Sequence, residues 1–336
     1  MSSSPAERST GSRRANRMPV GDASLSAEEL GRLRAALPAD IHFGTSSWNY
    51  PGWQGLIYHK TYPKTGASGK MLAEYAEWPL FTTVGIDASF YNPLSARTLE
   101  EYSAALPAGF RCVSKVWDRI TVHTHSKLRD KAHAGQPNPD FLNPELFIEA
   151  VLEPCLAHFS GHTGPFVFEF QAITHKSKVP PQAFADQLDR FFSALPRTAP
   201  YAVEVRNEEY LTPAYFAVLR EHGVAHCFNS WTRMPSIGEQ LDLPGAISAP
   251  FVVARALLRP GRYYAEAVDA FAPYDRIQDR NPDLRADLVR LIETAVKARI
   301  PAYVLVNNRA EGSAPLTIAA VARILAERAD AKPARS

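Results

Sequence analysis

The sequence predicts an α/β fold, a (β/α)8 barrel of parallel strands. Short β-rich runs alternate with helical patterns along nearly the whole chain, which implies parallel strands joined by right-handed crossovers. Eight such runs can be counted, the number that closes a barrel. A doubly wound open sheet is the competing architecture, but its usual GxGxxG turn does not follow the first run. The 336 residues fit one such domain, since barrels of this kind reach roughly 250 residues or more as a single unit.

Residues 1–24 are rich in Ser, Arg, Ala and Gly without apolar periodicity, and read as a disordered tail. A single barrel domain is expected over 25–331, with a disordered end at 332–336. Ser26 and Glu29 have capping-box spacing, and Leu30, Leu33 and Leu37 recur at helical intervals, so a short helix is expected over about 26–37, ended by Pro38. The β-rich runs follow at 41–45, 83–87, 110–116, 165–171, 201–206, 224–229, 250–255 and 302–307. Helical patterns fall at 68–78, 95–106, 144–158, 180–195, 213–222, 284–298 and 315–328, most of them opened by Ser or Pro. The stretch 230–249 is too broken by Pro and Gly to predict a helix.

Composition narrows the function classes. Apolar residues make up 46% of the chain, which excludes a disordered or collagen-like protein. Cys112, Cys155 and Cys227 lie far apart, with no CxxC and an odd count. That pattern suggests a reducing, cytoplasmic setting and argues against a thiolate zinc site. No apolar run approaches the ~18 residues of a membrane span, and the N-terminus has no apolar core of a secretory signal. Residues 1–37 hold six basic and four acidic residues, so the rest of the chain carries 31 of each sign. A neutral body is not a general polyanion binder. P-loop, GxSxG and HExxH motifs are absent.

Barrel chemistry sits where the strands end, because eight loops converge there on a rigid ring. The strand ends offer Ser46, Trp48, Asp87, Ser89, Lys115, Glu169, Gln171, Glu204, Arg206, Asn229, Arg255, Asn307 and Asn308. Charge inside a β-run is costly unless paired. Glu204 and Arg206 share one strand face, about 6–7 Å apart. They read either as a structural ion pair or as a carboxylate oriented by, or working beside, an anion-gripping guanidinium. Lys115, Arg206 and Arg255 would point at one barrel mouth, which favours an anionic ligand and disfavours a multinuclear metal site. His123 and His125 have metal-like spacing, yet no third ligand is evident; two hydrogen-bonding loop histidines are the simpler reading, with His125 a candidate for proton transfer or anion contact. Trp48, Tyr50 and Trp53 could stack on a sugar or base, with Tyr91 extending the wall, or could pack on one another as a lid. Glu169 and Glu204 are the one carboxylate pair on adjacent strand ends that a glycosidase could use, a weak signal because Glu169 could equally be a buried, paired group.

The segments GTSSWNYPGW (44–53), VGIDASFYNP (84–93), Lys115 with ITVHTH (120–125), VEVRNEEY (203–210) and LVNNRAEGSAPLTIA (305–319) together resemble the YecE-like family, also catalogued as domain of unknown function seventy-two. The resemblance covers about residues 41–328. It implies a TIM-barrel-like fold and no established activity. Lys115, Glu204, Arg206, Arg255, Asn307 and Asn308 match the family pattern. Gly85 stands where the family usually has Glu, Asp87 where it has Asn, Asn207 where it has His, and Asn229 near a usual Asp. The cations are kept while several acidic and imidazole groups are lost, the pattern of a divergent branch.

The function expected from these residues is a barrel enzyme acting on a polar anionic molecule, phosphate-ester, nucleotide-like or sugar-like, by general acid/base catalysis with no dedicated metal and no cofactor. Glu204, Lys115 and Arg206 are the expected catalytic set. Trp48, Tyr50, Trp53, Asp87, Tyr91, His125, Arg255, Asn307 and Asn308 are the expected binding set. The alternatives are a non-catalytic protein that binds an anion or nucleic acid, and a metal-dependent hydrolase using His123, His125 and Asp87.

Overall fold

A computed structural model describes residues 25–63, 65–125, 131–173, 179–259, 261–262 and 264–331. The expected tails at 1–24 and 332–336 lie outside the described residues. Eight parallel strands form one sheet: β1 (Ile41–Thr45), β2 (Gly85–Ile86), β3 (Cys112–Lys115), β4 (Thr163–Phe170), β5 (Tyr201–Val205), β6 (Ala225–Asn229), β7 (Val252–Ala256) and β8 (Ala302–Val306). Their order is β1-β8-β7-β6-β5-β4-β3-β2. The ring closes where β1 returns to the chain entering β2. There the Phe43 carbonyl accepts from the N–H groups of Thr82 and Thr83 at 3.0 and 3.2 Å. This is a nearly closed (β/α)8 barrel, not an open sheet.

The closing seam requires glycine. A Cβ on Gly44 would lie 2.0 Å from the Thr83 carbonyl oxygen, and one on Gly85 would lie 2.7 Å from that of Ser46. Backbone approaches this close exclude any side chain. The Gly85 departure from the family pattern therefore has a local steric role in this chain.

Helices wrap the ring: α1 (Ala27–Ala36), α2 (Ser68–Ala76), α3 (Ala96–Ala105), α4 (Asp118–Thr121), α5 (Pro144–Phe147), α6 (Glu153–His158), α7 (Pro181–Ala194), α8 (Pro213–His222), α9 (Ile237–Leu241), α10 (Tyr264–Phe271), α11 (Pro282–Ala298) and α12 (Ala314–Asp330). Ser26, Ser95, Asn143, Thr212 and Asn281 cap α1, α3, α5, α8 and α11 by accepting a backbone N–H. Glu29 does not complete the expected capping box with Ser26; its carboxylate pairs with Arg323 of α12 at 2.7 Å. The pattern at 144–158 is helical throughout, with a π-turn at Ile148–Leu152 joining α5 to α6. Three helices went unforeseen, the first being the single turn α4 after β3. In the Pro/Gly-rich stretch 230–249, α9 is a short helix held by a reciprocal capping box between Ser236 and Glu239. The third is α10.

Strand alternation builds two cores. Phe43, Phe166, Phe168, Val203, Phe228, Ala254 and Val304 face outward under the helices. Val113, Val167, Ala202, Cys227, Val253 and Leu305 fill the barrel interior. With a period of two, the next inward positions toward the strand ends are Lys115, Glu169, Glu204, Asn229, Arg255 and Asn307. A layer of aliphatic side chains thus carries a layer of charge directly above it.

Candidate functional site

At the C-terminal mouth of the barrel, six charged side chains form one cluster. Glu169 is its hub. Its Oε2 accepts from Lys115 Nζ at 2.8 Å, Arg206 Nη2 at 2.9 Å and Arg255 Nη1 at 2.7 Å. Glu204, the register neighbour of Glu169, accepts from Arg206 Nε at 3.1 Å through Oε1 and from Arg255 Nη1 at 2.5 Å through Oε2. Arg255 reaches across the ring with Nη2 to Asp87 at 3.3 Å. Three cations and three carboxylates therefore meet with no net charge, which is how a barrel interior tolerates them.

Burial divides the cluster in two. Glu204 is 0% exposed, Glu169 1% and Arg255 2%. Outside them, the side chains of Lys115 and Arg206 each keep 11% of their surface in solvent and that of Asp87 keeps 32%. Burial alone would raise the Glu169 carboxyl pKa, but the charges of Arg206, Lys115 and Arg255 hold it well below the usual carboxylate range. Burial likewise disfavours the charge on Arg255, while Glu204, Asp87 and Glu169 more than restore it. The Cys227 thiol donates to Glu204 Oε2 at 3.9 Å, and burial beside that carboxylate raises its pKa well above the ordinary value. It stays a thiol.

The two outer cations are seated on aromatic rings. Lys115 Nζ lies 3.9 Å from the centre of Phe90, and the Arg206 guanidinium lies 3.9 Å above Trp231. Ser89 ties the β2 and β3 ends together, its hydroxyl facing the carbonyls of Ile86 and Lys115 at 2.6 Å each. Behind the cluster runs a buried chain of Tyr215, His226 and Gln240. His226 contacts Tyr215 Oη and Gln240 Oε1 at 3.1 Å each, and Gln240 donates to the Asn229 carbonyl.

Lys115, Asp87, Glu204, Arg206 and Arg255 are thus brought together. Glu204, expected to transfer protons, has both oxygens occupied and no exposed surface. Glu169, left out of the expected set, has three ion-pair partners, as many as Arg255. It was visible as a charge inside the aromatic run Phe166–Phe170, but its three partners come from strands whose convergence sequence does not reveal. Trp231 was missed as well; its one signal is an aromatic residue two positions past the end of β6. Between Glu169 and Glu204 sits a single guanidinium nitrogen, which leaves no space for the water or sugar of a glycosidase.

Among the described residues, the other expected binding residues take no part in the ion-pair cluster. Trp48 is buried and donates to the Ser68 carbonyl at 2.9 Å. Trp53 is fully buried, stacked on Tyr58 and Tyr75. Neither offers a face to a ligand; these rings pack on one another, and only Tyr50 remains half-buried, against Trp53 and Tyr274. Tyr91 is 54% exposed, edge-on to the Phe90 ring beneath Lys115. The side-chain carbonyls of Asn307 and Asn308 accept from the N–H groups of Arg309 and Ala314 and so shape the loop after β8. His125 lies in the loop after β3 with its ring tilted against that of His133, 5.9 Å between ring centres. His123 bonds Thr124 and packs on Phe141, where burial lowers its pKa. Among the described residues no three His, Cys, Asp or Glu side chains are placed to hold a metal ion. No described helix is long and apolar enough to cross a membrane.

A family model described as "Protein of unknown function DUF72" matches residues 42–336. Two solved structures share the fold. A DUF72 family protein from Thermotoga maritima is 17% identical with a TM-score of 0.57, covering 85% of this chain and 98% of its own. One from Enterococcus faecalis is 19% identical with a TM-score of 0.56, covering 85% and 95%. No curated protein matches the chain.

Proposed function

The chain belongs to the DUF72 family, and on that premise we propose that its barrel mouth binds a small molecule carrying an anionic group and a hydroxyl, such as a phosphorylated sugar or nucleotide, and exchanges a proton with it. The observation that carries this reading is the division of the charged cluster. Glu169, Glu204 and Arg255 are sealed, while Lys115, Arg206 and Asp87 keep surface in solvent above them. A buried layer that fixes an accessible one is the arrangement that preorganised sites use. Lys115 and Arg206 would take the anion as a point charge and a planar fork. Asp87 is the accessible carboxylate of the cluster and takes the acid/base role first expected of Glu204. Help of that kind contributes roughly 10²–10⁴-fold to a rate. The overall neutrality of the cluster favours a ligand that pairs a charge with hydroxyls over a long polyanion.

The test is calorimetric titration with inorganic phosphate, glucose 6-phosphate and AMP, followed by turnover assays on each ester that binds. Arg206→Gln should weaken binding at least about tenfold. Asp87→Asn should leave binding within a fewfold and abolish turnover. If none of the three compounds binds, or if Arg206→Gln binds them like the wild type, the reading is wrong. Binding that survives with no turnover in the wild type would reduce the proposal to a binding protein. A steep fall of affinity for an oligonucleotide with salt would redirect it to nucleic acid.

A further inference from the structure

Away from the charged cluster, a cavity of about 290 Å³ opens beside the ends of β6 and β7, between the first turns of α9 and α11. Its size approaches the lower end of small-ligand pockets, roughly 300 Å³. Ile237 and Leu284 supply apolar wall, and Ser230, Arg259, Asn281, Asp283 and Asp287 supply polar groups. We propose that this cavity is a second ligand site, for a small zwitterion of amino-acid size that carries an ammonium group and an anionic group.

Two observations point to a ligand. The first is unused donors on buried side chains. Asn281 is 5% exposed; its Oδ1 accepts the Leu284 N–H at 3.2 Å, and its Nδ2 has no acceptor among the described residues. Ser230 is 3% exposed; its Oγ accepts the Leu257 N–H at 2.8 Å, and its own proton likewise has no acceptor among the described residues. Both residues line the cavity, so these donors face its open space and are free to meet a ligand there. The second is a pair of carboxylates with no direct ion pair, although the Arg290 charge acts on Asp287 at longer range. Asp283 and Asp287 are four residues apart on α11, hence on one face, where like charges repel. The arginines around them are committed elsewhere: Arg259 and Arg262 to Asp279, Arg285 to Glu311, and Arg290 to Asp242. No ion pair engages Asp283 or Asp287 among the described residues.

The two ends of the cavity differ in sign. Asp283 and Asp287 offer carboxylates to an ammonium. Arg259, whose side chain is 39% exposed, offers its outward edge to an anion beside Asn281 Nδ2, the Ser230 hydroxyl and the positive end of the α11 dipole. A simple cation would meet that dipole unfavourably, and a simple anion would meet the two aspartates. A zwitterion satisfies both.

Calorimetry and melting curves with glycine, serine, aspartate and O-phosphoethanolamine test this on the full chain. N-acetylserine and serine methyl ester, each lacking one of the two charges, are the controls. At least one zwitterion should bind, with each control at least about tenfold weaker. Asp287→Asn should cost a similar factor, while Arg206→Gln at the barrel mouth should leave this affinity unchanged. Should Asp287→Asn not fold, Asp283→Asn, at an exposed position of the same face, gives the same readout. Three results would overturn the proposal: no zwitterion bound at millimolar concentration, a control bound as well as its parent, or affinity lost in Arg206→Gln. The last would assign the binding to the charged cluster and leave this cavity without a ligand.

Discussion

Replacing Glu169 by Gln removes one charge from the centre of the cluster and changes almost nothing in shape. Its Oε2 faces Lys115, Arg206 and Arg255 within 2.9 Å, and the residue is 1% exposed. After the change three buried or half-buried cations face two carboxylates, Glu204 and Asp87. Breaking a buried ion pair from one side costs about 3–5 kcal/mol, because the partner charge is left uncompensated in a poor solvent. For a domain of this size each kcal/mol moves the melting temperature by about 2 °C, so a fall on the order of 10 °C is expected at neutral pH. The pH dependence gives a second reading. The folded-state pKa of Glu169 lies below its unfolded value of 4.5. Its stabilisation is therefore complete above about pH 4.5 and is lost as the pH falls through the lower, folded value. The gap between wild type and Glu169→Gln should be widest at pH 7 and should close in strong acid. Urea unfolding at pH 7 and at steps below pH 4.5 measures both effects. A variant within about 1 kcal/mol of wild type at pH 7, or a gap that does not narrow in acid, would refute the claim that Glu169 organises the mouth.

Two further outcomes follow from packing and titration. His226 is fully buried, and that burial lowers its pKa from 6.5 to about 4, against the hydrogen bond to Gln240. The unfolded chain takes up this proton below pH 6.5 and the folded one resists it until about 4, so stability should fall by about 3 kcal/mol between those values. His226→Gln should flatten that part of the urea-midpoint curve; an unchanged slope would mean another group titrates there. At the seam, Gly44→Ala places a Cβ 2.0 Å from a backbone oxygen and should cost about 3 kcal/mol or more. Gly31→Ala in α1 meets nothing within 4 Å and should stabilise by about 0.5–1 kcal/mol. Equal effects in thermal melts of the two variants would show that the seam is not sterically closed.

The sequence by itself determined the ring. Strand positions, their number, their parallel direction and most helix starts follow from local periodicity and capping, which depend on residues a few positions apart. It also determined which residues could share a face: Glu204 with Arg206 two positions on, and each charged residue with the aliphatic residue two positions before it. What each charge meets was decided only by the tertiary structure. Arg255 could be read as a free cation at the mouth, yet it is locked between Glu169, Glu204 and Asp87, because barrel closure brings β7 opposite β2. Trp48 and Trp53 could be read as a platform, yet they lie in the core, because the loop after β1 folds down against α2. Nor does any local pattern mark the cavity beside α11, whose walls come from separate segments around residues 230–237, Arg259 and residues 281–287. Chain neighbours set the pattern along each strand; contacts between distant strands set accessibility, and accessibility separates the residues that hold this site from those a ligand can touch.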